Sequence, residues 1–219
     1  MKLAPLLLIL TTTVAVLGQP SRAELVDEYG RIGCEDLMAR SEVVGQRLKA
    51  SPSETAVIIS YNLPEGKLGW QALLTHRRLI GLFGNDLNAN FYRAADNGKP
   101  RTEVWVVPPD SSFNTEGLER TFSIPFKPTA KTKVGGSYEQ DTCSSEAYRA
   151  FLQVLTTTNL KGQIVLVNWR RKDRDKSIAR YRAALRTAGL DTGRIRFRYK
   201  TAKPTLHDFP EYEEYWLIP

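Results

Sequence analysis

The sequence predicts an α/β chain in which one sheet-and-helix unit occurs twice. Three observations carry this. Glu103-Val104-Trp105-Val106-Val107-Pro108 and Glu214-Tyr215-Trp216-Leu217-Ile218-Pro219 share an acid-x-Trp-apolar-apolar-Pro pattern. The only two cysteines, Cys34 and Cys143, precede these motifs by nearly equal separations. Between each cysteine and its tryptophan, helical and strand patterns alternate in the order α-β-α-β-β, which implies a sheet layered against helices.

Residues 1–23 read as a signal peptide. Lys2 gives a short positive start, Leu6 to Gly18 is mostly apolar, and Ser21-Arg22-Ala23 places small residues where cleavage would occur, leaving Glu24 first. The alternative is a retained anchor helix, disfavoured because Thr11 to Thr13 interrupt the apolar run. The expected product is soluble after cleavage, without a transmembrane helix, and lies in the periplasm or is secreted. The expected division is a first unit at 24–110, a linker at 111–138 and a second unit at 139–219. In an oxidising compartment Cys34 and Cys143 can pair, given their matching places and an approximate twofold relation between the units. The alternative is two buried thiols.

Each element has a local reason. Gly33-Cys34-Glu35-Asp36 starts a helix, with acids complementing its dipole and Leu37, Val44 and Leu48 on one face. Ala56-Val57-Ile58-Ile59 is β-branched enough for a buried strand. A second helix, about Lys67 to Phe83, aligns Leu73, His76, Ile80 and Phe83. Ala89 to Ala94 and Thr102 to Val107 read as a hairpin joined through Asp96-Asn97-Gly98. The Pro-, Gly-, Thr- and Lys-rich stretch to Tyr138 reads as linker, with one strand at Thr121 to Phe126. A third helix, Ser144 to Thr158, turns Ala147, Phe151, Val154 and Leu155 inward, and Gln163 to Val167 is its buried strand. A fourth carries Ile178, Tyr181, Leu185 and Ala188 and ends at Gly189-Leu190-Asp191; Ile195 to Tyr199 and Tyr212 to Ile218 close the unit.

Arg180 to Leu185 leading into Ala188-Gly189-Leu190-Asp191-Thr192-Gly193-Arg194-Ile195 resembles the OmpA-like C-terminal domain, a bacterial envelope family. Asp27-Glu28-Tyr29-Gly30 and Glu103 to Pro108 carry the resemblance into the first unit. The resemblance implies an α+β sandwich of βαβαββ units, each a mixed sheet with two helices packed on one face. It also implies export to the envelope and peptidoglycan binding. The diaminopimelate motif of that family is not matched: Tyr61-Asn62-Leu63-Pro64 and Asn168-Trp169-Arg170-Arg171 stand where a Thr-Asp pair would, and Ser177-Ile178 stands near the Arg-Ala position.

Charge supplies the candidate site. Lys161 to Lys203 holds fourteen lysines and arginines against Asp173, Asp175 and Asp191, while the rest of the mature chain is net acidic. Arg194, Arg196, Arg198 and Lys200 alternate with Ile195, Phe197 and Tyr199, so one strand face is cationic. With Arg170, Arg171 and Lys172 they form the expected binding face for peptidoglycan or another anionic envelope polymer. The competing reading is a solvated face neutralised by acids such as Glu211, Glu213 and Glu214; a further one is an interaction module for an envelope protein. Nucleic acid fits poorly with export. His76 shares a stripe with Leu73 and Ile80, as a packed histidine does, and His207 sits in a polar loop. No metal-ligand spacing or phosphate loop occurs, so the expectation is a non-enzyme without cofactor or metal.

Overall fold

The computed structural model describes residues 22–138, 144–202 and 211–219. Residues 1–21, Cys143 and His207 lie outside them, so the signal peptide and one cysteine of the expected pair are not among the described residues. Within them the elements run β1 (Glu24–Tyr29), α1 (Cys34–Ala50), β2 (Thr55–Tyr61), α2 (Glu65–Phe83), β3 (Ala89–Ala94), β4 (Arg101–Val107) and β5 (Glu119–Ile124). They continue as β6 (Thr132–Tyr138), α3 (Ser144–Thr157), β7 (Lys161–Val167), α4 (Arg171–Thr187), a 3-10 turn (Thr192–Arg194), β8 (Ile195–Lys200) and β9 (Tyr212–Ile218).

The strands form two mixed sheets, ordered β1-β4-β2-β3-β5 and β6-β9-β7-β8. The expected α/β repeat is present, and each copy has one strand more than the sequence patterns indicated. β1 and β6 are equivalent first strands, antiparallel to β4 and β9, and β2–β3 and β7–β8 are the parallel pairs. Two expectations are corrected. β3 and β4 are not a hairpin, because β2 lies between them. The segment expected as a linker with one strand at Thr121 to Phe126 contributes that strand, as β5, to the first sheet, and also an unexpected one, β6, to the second.

The helix patterns resolve as their spacing predicts except at Ala188, which is the exposed C-cap of α4 and not part of its inward stripe. On α1, Leu37, Val44 and Leu48 are buried, and Gly45 accepts the Phe83 ring so closely that a Cβ would sit 2.2 Å from it. The end of α4 is a Schellman cap: Leu190 N–H donates to Leu185 O (2.9 Å), Gly189 N–H to Arg186 O (3.0 Å), and Gly189 has φ 72°.

α2 is the central element. A helix apolar on nearly every side belongs in an interior, and Leu68, Ala72, Leu73, Leu74, Leu79 and Ile80 are all buried. One side of α2 meets α1, and the other meets β6 and α3 of the second unit. Gly69 makes this joint close, since a Cβ there would lie 3.0 Å from Lys133 O on β6. His76 is 0 % exposed, packed edge-on against Phe122 and Phe126, and neither ring nitrogen has a hydrogen-bond partner. Burial alone lowers its pKa to about 3, so it is neutral. One continuous core therefore runs from Leu37 and Leu48 through Leu73 and Val134 to Phe151, Ile164 and Leu217.

Candidate anion-binding face

The chain reverses at the end of each central strand through an asparagine in the left-handed region, a conformation Asn tolerates better than most residues. Asn62 (φ 56°) follows β2 and Asn168 (φ 60°) follows β7. Each donates its backbone N–H to the last residue of the neighbouring parallel strand, Ala94 O at 3.1 Å and Lys200 O at 2.9 Å. Each side-chain Oδ1 accepts from a backbone N–H just beyond, Asp96 at 3.1 Å and Ala202 at 2.9 Å. These two asparagines latch the crossover, which accounts for the residue type without any ligand.

The second latch sets the position of α4. Arg170 is its N-cap, and Arg171 and Lys172 are exposed in the first turn. Cations there oppose the helix dipole, leaving a site where an anion would be stabilised. Arg174 is held inward: its Nε donates to Trp169 O (2.8 Å) and its guanidinium lies 4.5 Å from the Tyr199 ring centre. Lys200 ends β8 at the same end of the parallel pair, beside Val167.

Along β8 the expected alternation holds for three of four cations. Arg196 and Arg198 are exposed, and Lys200 reaches Glu214 at 3.4 Å. Arg194 is a correction. It lies in the 3-10 turn before the strand, and its Nη2 donates to Thr158 O (2.7 Å) and Leu160 O (2.5 Å). These carbonyls follow the end of α3, so the side chain satisfies backbone there instead of facing a ligand.

Glu214 answers the question of neutralisation. It is only 3 % exposed, and Lys133 at 3.2 Å, Lys200 at 3.4 Å and Trp216 Nε1 at 3.1 Å converge on it. Burial alone would raise its pKa, but Lys133, Trp216 and Lys200 outweigh burial and lower it. Lys131 lies 4.8 Å from the Trp216 ring centre and donates to Gln163 Oε1 at 3.1 Å. Lys131 and Lys133 are members of this face that the sequence reading missed, because β6 was hidden in the apparent linker. Trp105 and Trp216 hold equivalent places, each donating to the glutamate two residues before it.

Glu213 turns the other way, into the core, where Tyr181 and Tyr215 donate to the same carboxylate oxygen. Its pKa is raised by burial, against the lowering effect of those two bonds and of Arg180. It makes no ion pair with the described exposed cations, Arg180 acting on it only from a distance. From Arg170 to Arg198, no lysine or arginine makes an ion pair with a described residue. In the first unit Arg40, Arg47, Arg77, Arg78, Arg93 and Arg101 are each ion-paired.

Two voids of about 10 Å³ lie beneath α1 and α2, near Tyr29, Ile58 and Thr75, each with room for one water at most. Among the described residues no cluster of His, Cys, Asp and Glu could hold a metal ion. No described helix is long and apolar enough to cross a membrane. Cys34, at the first turn of α1, is disulfide-bonded. Comparison with protein-family models, with curated proteins and with solved structures finds no match to this chain.

Proposed function

We propose that this protein is an exported, non-enzymatic binding module of the cell envelope, attaching to peptidoglycan or another anionic polymer through the basic face of its second unit. One observation carries the reading: the cations from Arg170 to Arg198 lack ion-pair partners among the described residues, whereas Lys200 pairs with Glu214 and those named in the first unit are paired. An unneutralised row of like charges repels itself, and a polyanion relieves that repulsion. Arg170, Arg171, Lys172, Arg196, Arg198 and Lys200 are the proposed contacts, joined by Lys131 and Lys133. Export rests on the Lys2 to Ala23 pattern. The repeat order β-α-β-α-β-β in both units is the pattern implied by the OmpA-like resemblance, and membership of that superfamily is part of this proposal.

The test is sedimentation with purified peptidoglycan at low and physiological salt, comparing wild type with R170A/R171A and R196A/R198A. Wild type should co-sediment, less so as salt rises, and both variants should remain in solution. If wild type stays in the supernatant at low salt, attachment to the wall is wrong. A second reading, a module for an envelope protein, is favoured by one specific feature, the edge of β8 that no described strand pairs with.

A further inference from the structure

The first sheet supplies a template for what its second copy lacks. β3 is covered on its far side by β5, which runs antiparallel with Phe91 opposite Phe122. The two rings stack at 4.1 Å, Arg93 pairs with Glu119 at 2.6 Å, and Thr121 Oγ1 donates to Phe91 O at 2.8 Å. β8 is the counterpart of β3, since each pairs in parallel with a central strand and each is latched by the left-handed asparagine after that strand. Among the described residues no strand pairs with the far side of β8.

The direction of the edge follows from one bond. Lys200 O accepts from Asn168 on the β7 side, and successive residues of a strand aim their N–H and C=O groups to opposite sides. Arg196 and Arg198 therefore turn their backbone toward β7, while Phe197 and Tyr199 aim theirs outward. Side chains follow the other alternation: Arg196 and Arg198 stand exposed, and Phe197 is half-buried at the place equivalent to Phe91.

We propose that β8 accepts a fifth strand from a partner protein: an extended acidic segment, running antiparallel as β5 does on β3. Its carboxylates would lie opposite Arg196 and Arg198, and an apolar residue would take the place over Phe197 that Phe122 holds over Phe91. Main-chain hydrogen bonds would supply affinity and the alternating side chains selectivity. Charge argues against a second copy as occupant, because β8 against β8 would set arginine rows together. A β5-like strand would bring Arg120, which in the first sheet donates to Asn90 Oδ1 at 2.7 Å, toward Arg196. This inference is independent of polymer attachment.

The experiment measures fluorescence polarisation of a labelled synthetic strand alternating glutamate with valine, added to the full exported chain at low salt. A second peptide of identical charge carries N-methyl groups on alternate amides, which removes strand pairing and keeps the carboxylates. On the protein side, Y199P removes an outward N–H at an edge position where proline is tolerated, and Y199T removes the ring while keeping the N–H. The expected result is at least tenfold weaker binding by the N-methylated peptide and by Y199P, with Y199T close to wild type. Equal binding of the two peptides, equal loss in both Tyr199 variants, or no binding of the unmodified strand overturns the proposal. If Y199P fails to fold by circular dichroism, the peptide pair alone decides. Peptidoglycan sedimentation of Y199T separates the two readings, since wall attachment can fail while strand addition stands, and the reverse.

Discussion

His76 makes the stability of this protein depend on pH in a way that can be calculated. The imidazole is 0 % exposed, faces Phe122 and Phe126, and has no hydrogen-bond partner on either nitrogen. Its folded pKa is about 3, against 6.5 when unfolded. Below 6.5 the unfolded chain takes up a proton that the folded chain refuses, so stability is lost as pH falls from 6.5 toward 3. The slope approaches about 1.4 kcal/mol per pH unit and the full loss is on the order of 4–5 kcal/mol. Between pH 6 and pH 4.5 the loss attributable to this residue is about 2 kcal/mol. H76L isolates it, because leucine fills a similar volume and leaves no orphaned nitrogen. Urea unfolding of both proteins across that range should show the wild type losing about 2 kcal/mol more than the variant, with the variant at least as stable at pH 7. A difference between them that does not change with pH would refute the reasoning, because it would mean that His76 protonates equally in the folded and unfolded states.

Three further outcomes are expected. G69A should destabilise by about 1–2 kcal/mol, the close approach to Lys133 O exceeding the gain in helix propensity. G81A in the same helix, where a Cβ would meet only Gln153 at 3.6 Å, should stabilise by about 0.5–1 kcal/mol; thermal melts that rank the two the other way would contradict the joint described for α2. E213Q keeps an oxygen to accept from Tyr181 and Tyr215 but cannot ionise. Because burial raises the Glu213 pKa, wild type should lose stability as pH rises from 4.5 through that raised value while the variant does not, so their melting curves should diverge upward in pH. Finally, Cys34 is expected to pair with Cys143, the one other cysteine of the chain. The oxidised protein should resist thiol labelling until reduced, and C34S/C143S should cost about 4–5 kcal/mol if the chain-entropy account applies.

Elements were legible where local pattern and final environment agree. The α1 stripe of Leu37, Val44 and Leu48 and the apolar cores of β2 and β7 are buried as their periodicity requires. β6 was not legible, because Thr132-Lys133-Val134-Gly135-Gly136-Ser137-Tyr138 has the composition of a loop. One of its glycines serves contact instead: Gly135 lies beneath Leu73 of α2, where a Cβ would meet that side chain at 3.4 Å. The Asp96-Asn97-Gly98 turn is real, with Gly98 N–H donating to Asp96 Oδ1 at 2.8 Å, yet it leads to a strand two places away. Turn chemistry fixes a reversal and not the partner of the strand that follows. In the site, alternation along β8 placed Arg196, Arg198 and Lys200 correctly. Arg194 was misplaced because its partners are carbonyls near the end of α3, a tertiary relation that no period records.

The joint made by α2 has a further consequence. It is not a twofold contact: the second helix of one unit meets the first strand and first helix of the next. Head-to-tail contacts of this kind are not self-complementary, and repetition would build an open array or a ring. Matching the two latching asparagines sets the α2 residues Gly69, Leu73, His76 and Ile80 against Asp175, Ala179, Arg182 and Arg186, all exposed on α4. Where the first unit offers a smooth apolar stripe, the second offers charge. Arg182 and Arg186 thus leave α4 without the apolar stripe through which α2 makes its joint, and charge there disfavours stacking of another copy on α4 by the same contact.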